Sequence, residues 1–216
     1  MKKLLVLLLT LCVLLSACAP ATDTPDTTGD PNQSTGDPTD DPNPPDDPVT
    51  PQLAEFDALF GEIFSWYNMA LLSEYADPSQ INLRLLFYMG FSDESWELTD
   101  VEREELQGKV TLELDVRRLP AEKINQVLIQ HFGITLEEVD VSGFAGLTYL
   151  ESTNCYYFAT GDADFLGNFK AIQLENMEDG KVRLSYTSDR SSDTAFVAVL
   201  KLVDGNWQIL SNQRAQ

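Results

Sequence analysis

Nucleophilic catalysis needs a Ser, Thr or Cys beside a base, and bases are scarce in this chain. It has one histidine, His131, and three cysteines, Cys12, Cys18 and Cys155. His131 shares the apolar side of a helical stretch with Ile124, Val127 and Leu128, close to Gly133. That position predicts a structural histidine in a last turn, where it can cap carbonyls and oppose the helix dipole. Cys155 opens Cys-Tyr-Tyr-Phe, a strand-like apolar run, and reads as a buried inert thiol. A Cys155–His131 dyad requires the fold to bring the two within hydrogen-bond reach. No paired Cys or His spacing points to zinc, and no Gly-rich phosphate loop is present. Asp162-Ala163-Asp164 with Gly167 has the opening spacing of a calcium loop. Leu166 stands where an oxygen ligand is wanted and Gln173 replaces the closing Glu, so an acidic turn is expected. Carboxylates are so numerous, 35 in all, that the sequence singles out no glycosidase-type pair. The aromatic residues Trp66, Tyr67, Tyr75, Tyr156, Tyr157 and Phe158 are the remaining handle. As walls of a cleft between helix and sheet they suit sugars, peptides or small amphipathic ligands. The competing expectation is that they belong to the core. No cofactor is expected.

The elements that must position these residues follow from periodicity. Leu53, Phe56, Phe60, Ile63, Tyr67 and Ala70 recur at three- and four-residue steps and predict a long helix to about Tyr75. Asp77-Pro78 ends it. Ile81 to Met89 predicts a second, shorter helix. Thr99 and Glu102 have capping-box spacing before a helix to about Gln107. Val110, Leu112, Leu114 and Val116 alternate with polar residues and predict a strand. Pro120 fits a helix start and Gly133 its C-terminal stop, and Thr135 to Glu138 repeats the capping pattern. Cys155 to Ala159 reads as a strand. Glu178-Asp179-Gly180 then joins one hairpin and Asp204-Gly205 a second. The first register sets Leu174 opposite Leu184 and Ile172 opposite Tyr186; the second sets Leu202 opposite Trp207 and Leu200 opposite Ile209. The expected fold class is α+β, with N-terminal helices packed on a curved antiparallel meander of four or five strands. This order resembles the cystatin and NTF2-like folds, an analogy that carries no function by itself.

The N-terminus has Lys2 and Lys3 followed by an apolar run from Leu4 to Leu15, too short to span a bilayer that needs about 20 residues. It closes on Leu15-Ser16-Ala17-Cys18. This stretch resembles the lipobox of bacterial lipoprotein signal peptides. The resemblance implies that the Cys18 thiol takes a diacylglyceryl group and that cleavage falls just before it. Cys12 lies inside the apolar run and reads as a small apolar residue. The expected organisation is a signal peptide over 1–17, a lipidated Cys18 with a Pro/Asp-rich linker over 18–52, and one α+β domain over 53–216. The linker holds nine of the eleven prolines and eight aspartates, with almost nothing apolar to bury. Such a segment is a semi-stiff spacer with an upper reach on the order of 100 Å. Phrases such as Trp66-Tyr67, Leu86-Phe87-Tyr88, Phe132-Gly133 and Cys155-Tyr156-Tyr157 also resemble those of uncharacterised lipoproteins of Gram-positive gut bacteria, a likeness that implies location and architecture only.

Charge narrows the partners. Removing residues 1–17 leaves 12 basic residues against 35 acidic ones, a net charge of −23. That argues against nucleic acid, whose binders show basic patches. With Cys18 acylated, Cys155 has no partner for a disulfide, so the core must hold the fold. The expected function is a membrane-anchored extracytoplasmic lipoprotein with a non-catalytic domain that binds an extracellular ligand or protein. The partner at the membrane is the lipid bilayer, reached through acylated Cys18. The alternatives are a small cell-surface hydrolase using paired carboxylates and an assembly lipoprotein without a small-molecule site.

Overall fold

A computed structural model describes residues 52–161, 167–189 and 194–216. The leader, Cys18, nearly all of the Pro/Asp-rich stretch and Asp162-Ala163-Asp164 lie outside the described residues. The fold is α+β, and both of its sheets are antiparallel. Five helices are described: α1 (Leu53–Gly61), α2 (Trp66–Ala70), α3 (Leu83–Leu86), α4 (Asp100–Leu106) and α5 (Ala121–Phe132). Strands β1 (Val116–Pro120), β2 (Thr148–Leu150) and β3 (Cys155–Ala159) form one sheet in the order β1-β3-β2. Strands β4 (Phe169–Asn176), β5 (Lys181–Ser188), β6 (Ala195–Val203) and β7 (Asn206–Arg214) form the other in consecutive order. No helix among the described residues is long and apolar enough to cross a membrane.

The four-stranded sheet buries one face. Val182, Leu184 and Tyr186 of β5, Ala198 and Leu200 of β6, and Trp207 and Ile209 of β7 point into the core. Phe56 and Phe60 of α1 and Ile124, Leu128 and Phe132 of α5 belong to the same core cluster. Burying each such side chain is worth about 1.5–3 kcal/mol. Two polar ties fix the covering helices: Asp57 accepts from the Ala171 amide at 2.8 Å, and Gln208 Nε2 donates to the Ile129 carbonyl at 3.2 Å. Gly133 ends α5 with φ +68°, and a Cβ there would stand 2.7 Å from Gln208 Oε1. The left-handed backbone is what favours glycine at that stop, since the Gln208 side-chain end could shift.

Three of the four expected pairings occur: Leu174 with Leu184, Leu200 with Ile209 and Leu202 with Trp207. The fourth does not. A bulge between Ala171 and Gln173 sets Ala171 opposite Tyr186 and turns Ile172 outward, 51% exposed. Both hairpin turns need left-handed backbone, and Asp179, Gly180, Asp204 and Gly205 supply it.

Four expectations need correction. The long helix from Leu53 to Tyr75 is broken into α1 and α2. Glu62 is extended, Phe64 takes φ +73°, and Ser65 caps α2 by accepting from the Asn68 amide at 3.1 Å. Asn68 Nδ2 then donates to the Phe60 carbonyl at 2.8 Å, so the broken end of α1 is satisfied by a buried side chain. The second helix, expected over Ile81 to Met89, shrinks to the four residues of α3, and a separate 3-10 turn at Pro78–Gln80 precedes it. Val110 to Asp115 is not a strand, because the amides of Val110 and Leu114 bond locally to the Leu106 and Thr111 carbonyls. The strand begins at Val116 and pairs with β3 in the separate three-stranded sheet, so Cys155–Ala159 does not extend the four-stranded one.

Candidate functional site

The break between α1 and α2 creates a concavity. A cleft of about 570 Å³ opens there, with Phe64, Trp66, Tyr67, Met89, Gly90 and Trp96 among its walls. Trp66 is held by aromatic contacts with Phe87 at 5.3 Å and Phe91 at 5.6 Å. Tyr67 stands edge-on to Phe60 and to His131, and its hydroxyl donates to the Trp207 carbonyl at 3.0 Å. Burial pushes the Tyr67 hydroxyl above its usual pKa, so it stays a neutral donor. Phe64 and Trp96 are 46% and 48% exposed. Their apolar faces are open to whatever enters the cleft.

Phe64 is there at a cost. A bulky residue at positive φ is strained by about 1–2 kcal/mol, because its Cβ crowds the backbone carbonyl. The capped start of α2 and the Asn68–Phe60 bond hold the turn that imposes it. Trp96 lies on the loop between Phe91 and Leu98, with the Arg117 guanidinium 3.6 Å from its ring centroid. Arg117 Nε donates to the Tyr88 carbonyl at 3.2 Å.

Of the six aromatic residues expected to line a cleft, Trp66 and Tyr67 meet in this one. The other four are placed elsewhere. Tyr75 is buried and exchanges backbone hydrogen bonds with Asn212, at 2.7 and 2.9 Å, tying the segment after α2 to β7. Tyr156 packs with Phe144 and Tyr149. The Tyr157 hydroxyl donates to Glu102 at 2.6 Å. Phe158 lies between Tyr88 and the Arg84 guanidinium. Sequence reasoning missed Phe64 and Trp96. Gly61 and the Ser65-to-Asn68 cap spacing were the available signs of a break, and Trp96 in a polar run was a sign of an exposed aromatic.

Glu102, Cys155 and His131 have structural surroundings. Glu102 is almost fully buried. It completes the expected capping box with Thr99, accepting from the Thr99 amide and hydroxyl at 2.8 Å each. Burial alone would raise its carboxyl. Hydrogen bonds from Tyr157 and Thr99 and the Arg118 charge outweigh that and hold it low. Arg118 Nε is 3.4 Å from Glu102 Oε1. Cys155 donates to the Thr153 carbonyl at 3.2 Å and packs with Leu106, Val116 and Leu150. His131 stands against Tyr67 instead, and its Nδ1 has no hydrogen-bond partner among the described residues. Burial pulls its pKa down to about 4, so it is neutral at pH 7 and cannot oppose the α5 dipole there. Among the described residues no cluster of His, Cys, Asp or Glu is arranged to hold a metal ion.

The described residues form an α+β domain with an aromatic concavity, which Glu62, Ser65 and Ser92 also line. No known protein family, curated protein or solved structure matches the chain.

Proposed function

We propose that this protein is a lipoprotein anchored through acylated Cys18 to the outer face of the cell membrane. Its α+β domain binds an amphipathic ligand, without catalysis, in the Trp66–Tyr67 cleft. The observation that carries the reading is the open aromatic wall: Phe64, kept at positive φ, and Trp96, each about half exposed on one concavity. Strain of that kind persists where surrounding structure imposes it, often at ligand sites. Flat apolar rings beside a few polar atoms suit a sugar ring, a peptide side chain or an acyl chain. The leader residues and the Pro/Asp-rich composition of 18–52 support the anchor and the spacer. A curved, cystatin- or NTF2-like form of the four-stranded sheet belongs to the same proposal. Bulges at Ala171/Gln173 and Val199/Leu200 support it, since bulges bend the strands that carry them.

Tryptophan fluorescence tests the cleft. Titration with chito-oligosaccharides, short aromatic peptides and medium-chain acyl compounds should give saturable binding for one class. Trp66→Ala should weaken it at least about tenfold, ~1.4 kcal/mol. Trp207→Phe, a change in the core, should leave it nearly unaltered. Equal affinity in Trp66→Ala, or release of hydrolysed product from any probe, defeats the reading.

A further inference from the structure

Arg117 is a buried charge with no ion-pair partner among the described residues. It is 6% exposed, the second residue of β1. Its Nε is bonded to the Tyr88 carbonyl, but its Nη1 is buried and has no hydrogen-bond partner among the described residues. Four other cations each have a carboxylate within ion-pair distance: Arg118 has Glu102, Lys123 has Asp93 and Glu94, Arg183 has Glu175 and Arg214 has Glu74. Asp115 acts on Arg117 electrostatically without an ion pair, and burial leaves the guanidinium less favourably charged than usual. In a chain of net charge −21, carboxylates are abundant, yet none among the described residues is within ion-pair distance of this side chain. An ion held out of water with a donor unused is costly until a counter-charge reaches it.

What touches Arg117 is the wall of the aromatic cleft. Gly90 and Trp96 both line that cleft. The Trp96 ring covers the guanidinium, and a Cβ on Gly90 would lie 3.1 Å from Arg117 Cδ. Glycine therefore lets the arginine stem approach the cleft wall. Trp96 is half exposed on a loop, so turning its ring away breaks few contacts. We propose that Arg117 anchors the carboxylate of the ligand in this cleft, with Trp96 moving aside to admit it and the ligand body stacking on the aromatic wall. This rests on the binding reading above and names its ligand class: a small molecule with one carboxylate and an apolar or flat body. A polyanion is disfavoured by the chain's net charge of −21 and by Glu62 on the cleft wall. A single carboxylate lodged against a guanidinium gains a short, charge-assisted contact that offsets that repulsion.

The test pairs acids with their neutral amides on the full-length protein: phenylacetate with phenylacetamide, hexanoate with hexanamide, glucuronate with glucuronamide. Binding is read by NMR of the Trp96 indole and Arg117 side-chain N–H signals. One acid should bind, shift both signals, and exceed its amide at least about tenfold in affinity. The pair that does so distinguishes an aromatic, an acyl and a sugar acid. Arg117→Lys keeps the charge but loses the fork, so it should lower acid affinity while amide affinity holds. Trp96→Ala, a surface change that spares the fold, should preserve or widen the acid-to-amide ratio. Equal binding of acid and amide overturns the carboxylate anchor and leaves the aromatic cleft standing. Absence of binding by all six probes overturns the carboxylate anchor; the aromatic cleft falls with it only if the oligosaccharides, peptides and acyl compounds above also fail to bind.

Discussion

His131 is the residue whose environment most changes its chemistry. The unfolded chain holds the His131 proton with a pKa near 6.5, whereas burial lowers the folded value to about 4. Between those values the unfolded state binds the extra proton, so stability falls as pH drops through that window and is unaffected above it. At 1.36 kcal/mol per pH unit, the loss between pH 7 and pH 5 is about 2 kcal/mol. His131→Phe removes the titrating group and keeps an aromatic ring against Tyr67. Urea unfolding at the two pH values should show that loss in the wild type and a much smaller one in the variant; identical losses would place the titration elsewhere. The inward direction of His131 was legible in its helical spacing with Ile124, Val127 and Leu128. Its neutral state was not, because desolvation depends on what α2 and β7 bring against it.

At the scale of elements, local signals with their own hydrogen bonds were the readable ones. The Thr99–Glu102 and Thr135–Glu138 capping boxes form, and Gly133 stops α5 at positive φ. The failures were elements whose ends depend on distant partners. The apolar stripe from Leu53 to Ala70 continues at helical spacing, but Asn68 and Ser65 cap a break that the stripe does not record. That break positions Phe64. Phe64→Gly should raise the melting temperature by relieving strain of about 1 kcal/mol, while weakening ligand binding in the cleft. Phe64→Ala should weaken binding without the stability gain, since alanine keeps the Cβ that crowds the backbone. If both variants melt alike, the backbone at this turn carries no strain.

At the scale of the whole molecule, the proposed anchor sets where the cleft operates. In that proposal an acylated Cys18 would hold the chain to the bilayer, because two or more acyl chains bind stably where one binds marginally. The acidic, proline-rich composition of the stretch that follows would suit a spacer. Cys18→Ser should move the protein from the membrane fraction to the soluble one and abolish incorporation of labelled fatty acid. A variant that remains fully membrane-bound removes the anchor from the account.

By itself the sequence determined the fold class, the caps and turns, and three of the four hairpin pairings, because each rests on residues close in the chain or on strict alternation. It also placed Trp66 and Tyr67 among the cleft candidates. Only the tertiary structure decided that Tyr75, Tyr156, Tyr157 and Phe158 pack elsewhere and that Cys155 lies in a second sheet. It alone put Arg117, with no ion-pair partner among the described residues, behind Trp96. Those outcomes depend on which distant backbone satisfies each strand edge and which ring shields each charge, and residue spacing along one chain contains neither.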